Sequence, residues 1–280
     1  MPIAPVMRVM RAIRLVQIGV VLSLAATLLV LGARADEEEG GDEAAFTTAN
    51  QQDWLRGAPQ NPSPEWVAAL GGRLYDNWAE VQFKDLPEET HPTYPAAGKL
   101  SGSVTWRCKE CHGWDYNGAA GLYGRGEHFT GFPGVRRVRG TMTEDRLRQV
   151  LRGDLHRFDA DKIPDQLVGP LAAFLDHGQV DTETIADFAK GGEANGGNAP
   201  QGQAIFQNVC AVCHGFDGRS INFGSEGKPE YVGTVARDVP AEFIHKMFNG
   251  QPGQPMPVVR PFGEQTVRDL LAYVRTLPAS

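Results

Sequence analysis

All four cysteines of this 280-residue chain stand in two copies of one pattern. Cys108-Lys109-Glu110-Cys111-His112 and Cys210-Ala211-Val212-Cys213-His214 each set two thiols three positions apart, with a histidine directly after. A zinc site built from two such pairs would need them about 15–20 residues apart. Here 98 residues lie between Cys111 and Cys210, and each pair carries its own histidine. A thioredoxin-like dithiol belongs beside a βαβ pattern, which the chain lacks. The spacing with its adjacent histidine is the attachment site of a c-type haem, whose vinyl groups bond the two sulfurs while the histidine ligates iron on one face. The expectation is two covalently bound haem c groups, held by Cys108, Cys111, Cys210 and Cys213, with His112 and His214 on the iron. No cysteine is left for a disulfide or a free reactive thiol.

The elements that must position these residues repeat as well. Before the second motif, Gly202 and Phe206 are four apart on one helix face, and Cys210 follows four later. A helix from about Glu264 to Leu277 carries Leu270 and Tyr273. Between them a helix near 239–249 is predicted, with Asp238 as its N-cap, Pro240 in its first turn and Gly250 as its stop. Phe243, Ile244, Met247 and Phe248 form its apolar stripe, which makes Met247 a core residue. Around the first motif the same order recurs in Gly71 and Tyr75, a helix from Thr143 to Arg152 stopped by Gly153, and the pair Leu171 and Phe174.

This order resembles class I cytochrome c, in which a Gly-x-x-x-aromatic first helix crosses a Leu-x-x-aromatic last helix and glycine lets the backbones approach closely. The resemblance implies a mainly α fold of two tandem domains, 62–178 and 199–280. A polar linker, 179–198, made flexible by Gly191, Gly192, Gly196 and Gly197, joins them. One departure stands out: direct spacing from Tyr75 puts the first cysteine at 79, and it is at 108. The 29 extra residues, 79–107, hold His91, Tyr94 and three prolines and read as loop, either a cover for the haem edge or a partner surface. Each domain is small for a core of its own, so the haem supplies much of the apolar volume.

The second iron ligand sets potential and reactivity. Gly253-Gln254-Pro255-Met256-Pro257 resembles the Met-Pro loop of class I cytochromes c, which makes Met256 the ligand opposite His214. The first domain has no such loop. Aligning Gly153 with Gly250 brings His156 into the ligand loop, with His128, His91 or an open position as rivals and Met142 as a weak candidate. Haem 1 is then bis-His and haem 2 His/Met. Methionine ligation raises the potential, so electrons enter at haem 1 and leave from haem 2.

The first 35 residues carry Arg8, Arg11 and Arg14, an apolar run from Leu15 to Leu31, and Ala33-Arg34-Ala35. This is the layout of a signal peptide cleaved after Ala35, with a retained membrane anchor as the alternative; residues 36–61 read as a disordered acidic lead-in. The whole chain has a net charge of −7, more negative once the arginine-bearing leader is gone, so nucleic acid and anionic membranes are poor partners. Against this background seven arginines between Arg136 and Arg157 reverse the local sign, for an acidic partner, for haem propionates, or as a solvated helix face. The first functional expectation is a periplasmic di-haem carrier that passes electrons between a redox donor and acceptor and has no catalytic residue. The second is an oxidoreductase with haem 1 catalytic, acting on a sulfur compound or Fe(II). Thiosulfate dehydrogenases are similar in having two such domains, but their active haem uses a cysteine ligand, and this chain has none to spare.

Overall fold

The computed structural model describes residues 59–279. The expected export segment 1–35, and the lead-in 36–61 except its last three residues, lie outside the described residues. The described chain is mainly helical: α1 (Pro64–Val81), α2 (Cys108–His112), α3 (Glu144–Arg152), α4 (Asp165–Ala173), α5 (Thr182–Ile185), α6 (Ala199–Ile205), α7 (Ala211–His214), α8 (Val232–Asp238), α9 (Pro240–Asn249) and α10 (Gly263–Val274). Strands β1 (Ala186–Asp187) and β2 (Glu193–Ala194) pair antiparallel.

Two hydrophobic clusters form the interior. One gathers Leu74, Tyr75, Trp78, Ile163, Leu171 and Phe174; the other Phe206, Ile244, Val267, Leu270, Leu271 and Val274. In each, a glycine sits where two helices cross. A Cβ on Gly71 would lie 2.0 Å from the Pro170 carbonyl oxygen, and one on Gly202 would lie 1.9 Å from that of Asp269. No side chain fits at either point, so α1 meets α4, and α6 meets α10, backbone to backbone.

The lead-ins to the two motifs then diverge. In the second copy α6 passes through a π-helical turn, Phe206–Cys210, straight into α7. In the first, α1 breaks at Asn77 (φ −150°, ψ 93°). The Asn77 side-chain oxygen accepts from the amides of Ala79 and Glu80 at 3.2 and 3.3 Å, which caps a fresh turn and sends the chain away from the motif. The segment that follows is a fastened loop: the Trp78 indole donates to the Trp106 carbonyl at 2.9 Å, and the Trp106 indole to that of Glu89 at 2.8 Å.

Two expectations need correction. The 179–198 segment is folded and not a flexible linker: Ile185 and Ala186 are buried in the second cluster, and Asn195 N–H donates to the Ile185 carbonyl at 2.8 Å. Its glycines serve turns, with Gly191, Gly192 and Gly196 at positive φ. Asp238 does not cap α9. Residues 232–238 are already helical as α8, so Val239 takes the cap position and Pro240 the first turn. Thr143 caps α3 as its residue type foretells, accepting from Arg146 N–H at 3.3 Å,.

Candidate functional site

Each motif is one short helical turn closed by a glycine. Gly113 and Gly215 have φ of +80° and +77°, a conformation that a side chain would strain. After each turn the chain folds back onto the histidine: Gly118 N–H donates to the His112 carbonyl and Ser220 N–H to the His214 carbonyl, both at 2.9 Å. The local frame is therefore the same in the two motifs. In the first, the Tyr75 hydroxyl donates to the Gly113 carbonyl at 2.7 Å and ties α1 to the motif.

A cavity of about 240 Å³ lies at the first motif. Cys108, Cys111 and His112 line it together with His156 from the loop after α3, and Leu147 and Leu151 supply apolar wall. His112 Nδ1 stands 2.8 Å from the Pro133 carbonyl oxygen. A ring that donates there keeps its Nε2 lone pair for a metal, the usual arrangement of a ligating histidine. Burial lowers the His112 pKa to about 4 against the pull of that carbonyl, so the ring is neutral, the form that binds a metal.

The imidazoles of His112 and His156 face each other with centroids 6.2 Å apart and planes 25° apart. Metal–imidazole bonds of about 2.0–2.1 Å put two rings on opposite sides of one ion about 6 Å apart, centre to centre. The separation suits an iron between them, and the apolar walls suit a porphyrin around it. Burial lowers the His156 pKa, and His91 adds to the effect. The Val150 carbonyl pulls weakly the other way, yet buried Nδ1 makes no hydrogen bond of ordinary geometry. Among the described residues no group of three or more histidine, cysteine or carboxylate side chains is placed to hold a bare metal ion such as zinc. Burial pushes the Cys108 thiol up to about 12, outweighing the Arg107 guanidinium, and the Cys111 thiol to about 12 as well. A thiol held neutral is a poor nucleophile.

The rival histidines make contacts of their own, and His91 also lines the cavity. His91 Nε2 is 2.8 Å from the His156 carbonyl oxygen. His128 stacks on Tyr123 with centroids 4.6 Å apart and reaches Glu110 at 3.1 Å. Met142 lines the cavity beside Leu147. The arginine stretch divides in two. Arg136 pairs with Asp181 at 3.0 Å, Arg148 with Glu144 and Asp145, and Arg152 with Asp165 at 2.9 Å. Arg137 and Arg146 line the cavity.

At the second motif His214 lies between Phe206 and Phe223, at centroid distances of 6.5 and 6.1 Å. Burial lowers its pKa, and its buried Nδ1 has no hydrogen-bond partner. Cys210, pushed up to about 11 by burial, packs on the second cluster, and so does Met256. The loop that carries Met256 is closed by Val259 N–H on the Met247 carbonyl at 2.9 Å. Met247 itself is buried in that cluster, as its helical spacing indicates.

Sequence reasoning missed three contributors: the Pro133 carbonyl, the Tyr75 hydroxyl and the backbone contact of His91. The Pro133-Gly134 dipeptide marks a turn and is the one local signal among them. His245 of α9 is fully buried. Among the described residues no helix is long and apolar enough to cross a membrane.

A family model described as cytochrome c oxidase, cbb3-type, subunit III matches residues 197–274. A cytochrome c-553-like protein of Synechocystis sp. (strain ATCC 27184 / PCC 6803 / Kazusa) is 41% identical over 81 residues, which cover 29% of this chain and 70% of that protein. No solved structure matches.

Proposed function

The chain belongs to the c-type cytochromes, electron-transfer proteins with covalently bound haem, and we propose that it is a di-haem member, exported by its 1–35 segment to the periplasm. In this reading residues 62–178 and 199–280 are two cytochrome c domains. Cys108 and Cys111 hold haem 1, with His112 and His156 as its axial pair. Cys210 and Cys213 hold haem 2, with His214 and Met256. The haem groups supply the redox change, and the chain keeps ligation constant, shields the iron from water and fixes where electrons enter and leave. Methionine ligation raises the potential of haem 2, so electrons pass from a donor at haem 1 to an acceptor at haem 2. Arg137 and Arg146 at the first cavity favour an acidic donor.

The observation that carries this reading is the 6.2 Å separation of the His112 and His156 rings beside Cys108 and Cys111. A bis-histidine haem has no open position, which favours a carrier over an oxidoreductase acting on a sulfur compound or Fe(II). The test is a pyridine haemochrome assay together with redox titration and carbon monoxide difference spectra. The expected result is two haems per chain, no carbon monoxide adduct at haem 1, a methionine–iron charge-transfer band from one haem only, and haem 1 at the lower potential. One haem per chain would overturn the di-haem reading. Strong carbon monoxide binding at haem 1 would favour the oxidoreductase, and the reverse order of potentials would overturn the direction of transfer.

A further inference from the structure

The two histidines of the first cavity are held in different ways. His112 is oriented through its ring, by the Pro133 carbonyl. His156 is held less firmly through its ring, whose buried Nδ1 feels the Val150 carbonyl but makes no hydrogen bond of ordinary geometry. Its backbone is held instead. His91 Nε2 lies 2.8 Å from the His156 carbonyl oxygen, across 65 residues of sequence. Thr93 N–H donates to His91 Nδ1 at 3.2 Å, so Nδ1 is the acceptor and Nε2 carries the proton that the carbonyl receives.

The clamp is itself clamped. His91 is 8% exposed and packs against Trp106 and Phe158, with centroids 4.4 and 5.7 Å away. Its amide donates to the Thr105 hydroxyl at 2.8 Å, and that hydroxyl donates to the Gly102 carbonyl at 2.6 Å. Further along the same strap, Gln82 donates to the Lys162 carbonyl at 2.7 Å and Lys84 to that of Asp161 at 3.0 Å. The loop they hold is under strain: Arg157, next to His156, has φ +54°, a conformation that persists when the surroundings over-determine it.

We propose that His91 is the positioning residue for the distal ligand of haem 1, and that the 79–107 insertion is a strap whose task is to keep His156 over the iron. The inference rests on the ligand assignment made above. Partners that orient a metal ligand are worth about 10–100-fold in affinity at the metal. Without the strap, His156 yields the sixth position to an external ligand, so the insertion decides whether this site is a closed carrier or an open one.

The experiment uses the full haem-loaded chain and follows carbon monoxide binding to ferrous haem 1, with the spectrum of haem 2 and the thermal midpoint as internal controls. His91→Phe keeps an aromatic ring between Trp106 and Phe158 and removes the hydrogen bond. It is expected to raise the carbon monoxide association rate at haem 1 at least ten-fold and to leave haem 2 unchanged. His91→Gln, whose amide can still donate to the carbonyl, is expected to restore most of the closure. If His91→Phe does not take up haem, Thr105→Val decides, since it unfastens the His91 backbone and leaves the ring in place; a rise in the same direction is expected. Wild-type binding kinetics in the variants, on a haem 1 that is bis-histidine by its spectrum, would overturn the positioning role alone. A wild-type haem 1 that lacks a second histidine would overturn the ligand assignment and the strap's role with it.

Discussion

At the scale of single residues, the two motif histidines have the same backbone frame and different chemical surroundings. Ring orientation by a carbonyl partner is present at His112 and absent at His214, so the first motif histidine is the more tightly held. The distal residues carry two predictions. His156→Ala removes the imidazole whose centroid lies 6.2 Å from that of His112. Its haem 1 is expected to become five-coordinate or water-ligated and to bind carbon monoxide in the ferrous state, while the haem 2 spectrum is retained; an unaltered low-spin spectrum for haem 1 would assign its ligand elsewhere, with His91 and Met142 the other candidates on the cavity wall. Met256→His replaces a thioether by an imidazole and is expected to lower the potential of haem 2 toward that of haem 1, read by redox titration. The motif residues are proposed from a fixed local spacing. That His156 shares a cavity with Cys108, Cys111 and His112 agrees with its place in the loop after α3. The contact of His91 with the His156 carbonyl could not be read from the sequence, because a hydrogen bond that spans 65 residues leaves no local pattern.

At the scale of elements, the helices were read well where the apolar spacing is regular, as in α3 and α10, and less well where the chain departs from its own repeat. The break at Asn77 is the clearest case. An asparagine inside a helical run signals no kink by type alone; here its side chain accepts from two amides just beyond it and starts the strap. The glycine doublet in α1 is a second case. Gly71 was legible as a crossing residue, but Gly72 was not, and it serves a different neighbour: its Cβ would meet the Asn249 side chain of α9 at 2.2 Å. One helix thus approaches α4 on one side and α9 on another, through adjacent glycines. Gly71→Ala and Gly202→Ala each force a methyl into a backbone carbonyl and are expected to cost at least the ~1–3 kcal/mol of an overpacked core. Gly72→Ala meets the Asn249 side chain, itself buried and hydrogen-bonded to Arg260 at 2.7 Å, and is expected to rank below the two backbone clashes. Urea midpoints of the three variants test the ranking; a Gly71→Ala chain as stable as wild type would mean that the crossing is looser than the backbone contact indicates.

At the scale of the whole molecule, the two clusters are joined by buried polar contacts that no periodicity announces. Asp76 on α1 is fully buried and pairs with both Arg107 and Lys246 of α9. One turn away, His245 Nε2 donates to the Gly72 carbonyl at 3.0 Å, while its Nδ1 accepts from the Tyr116 hydroxyl at 2.8 Å. The ring also packs against Tyr75, Trp114 and Phe174. Burial lowers the His245 pKa to about 3, outweighing the attraction of Asp76 for its proton. An unfolded histidine titrates near 6.5. Above that pH His245 is neutral in both states and its titration adds no pH dependence. Below it the unfolded chain binds a proton that the folded chain refuses, so stability falls with decreasing pH by about 1.4 kcal/mol per pH unit for this one group. The Asp76 carboxyl is held below its ordinary value by Lys246 and Arg107, which overcome burial. Its contribution is present above the unfolded carboxylate range and is lost only as pH drops beneath about 4. Between pH 6 and pH 4.5 the histidine is therefore separable from the carboxylate. His245→Gln, which can still donate to the Gly72 carbonyl, is expected to flatten the stability profile in that window by up to one proton's worth of slope, measured as the difference from wild type in urea melts at several pH values. Taking the difference cancels the other histidines of the chain, including those proposed to bind iron. Parallel profiles for the two proteins would mean that His245 is protonated in the folded state, and that the junction between the clusters admits a charge.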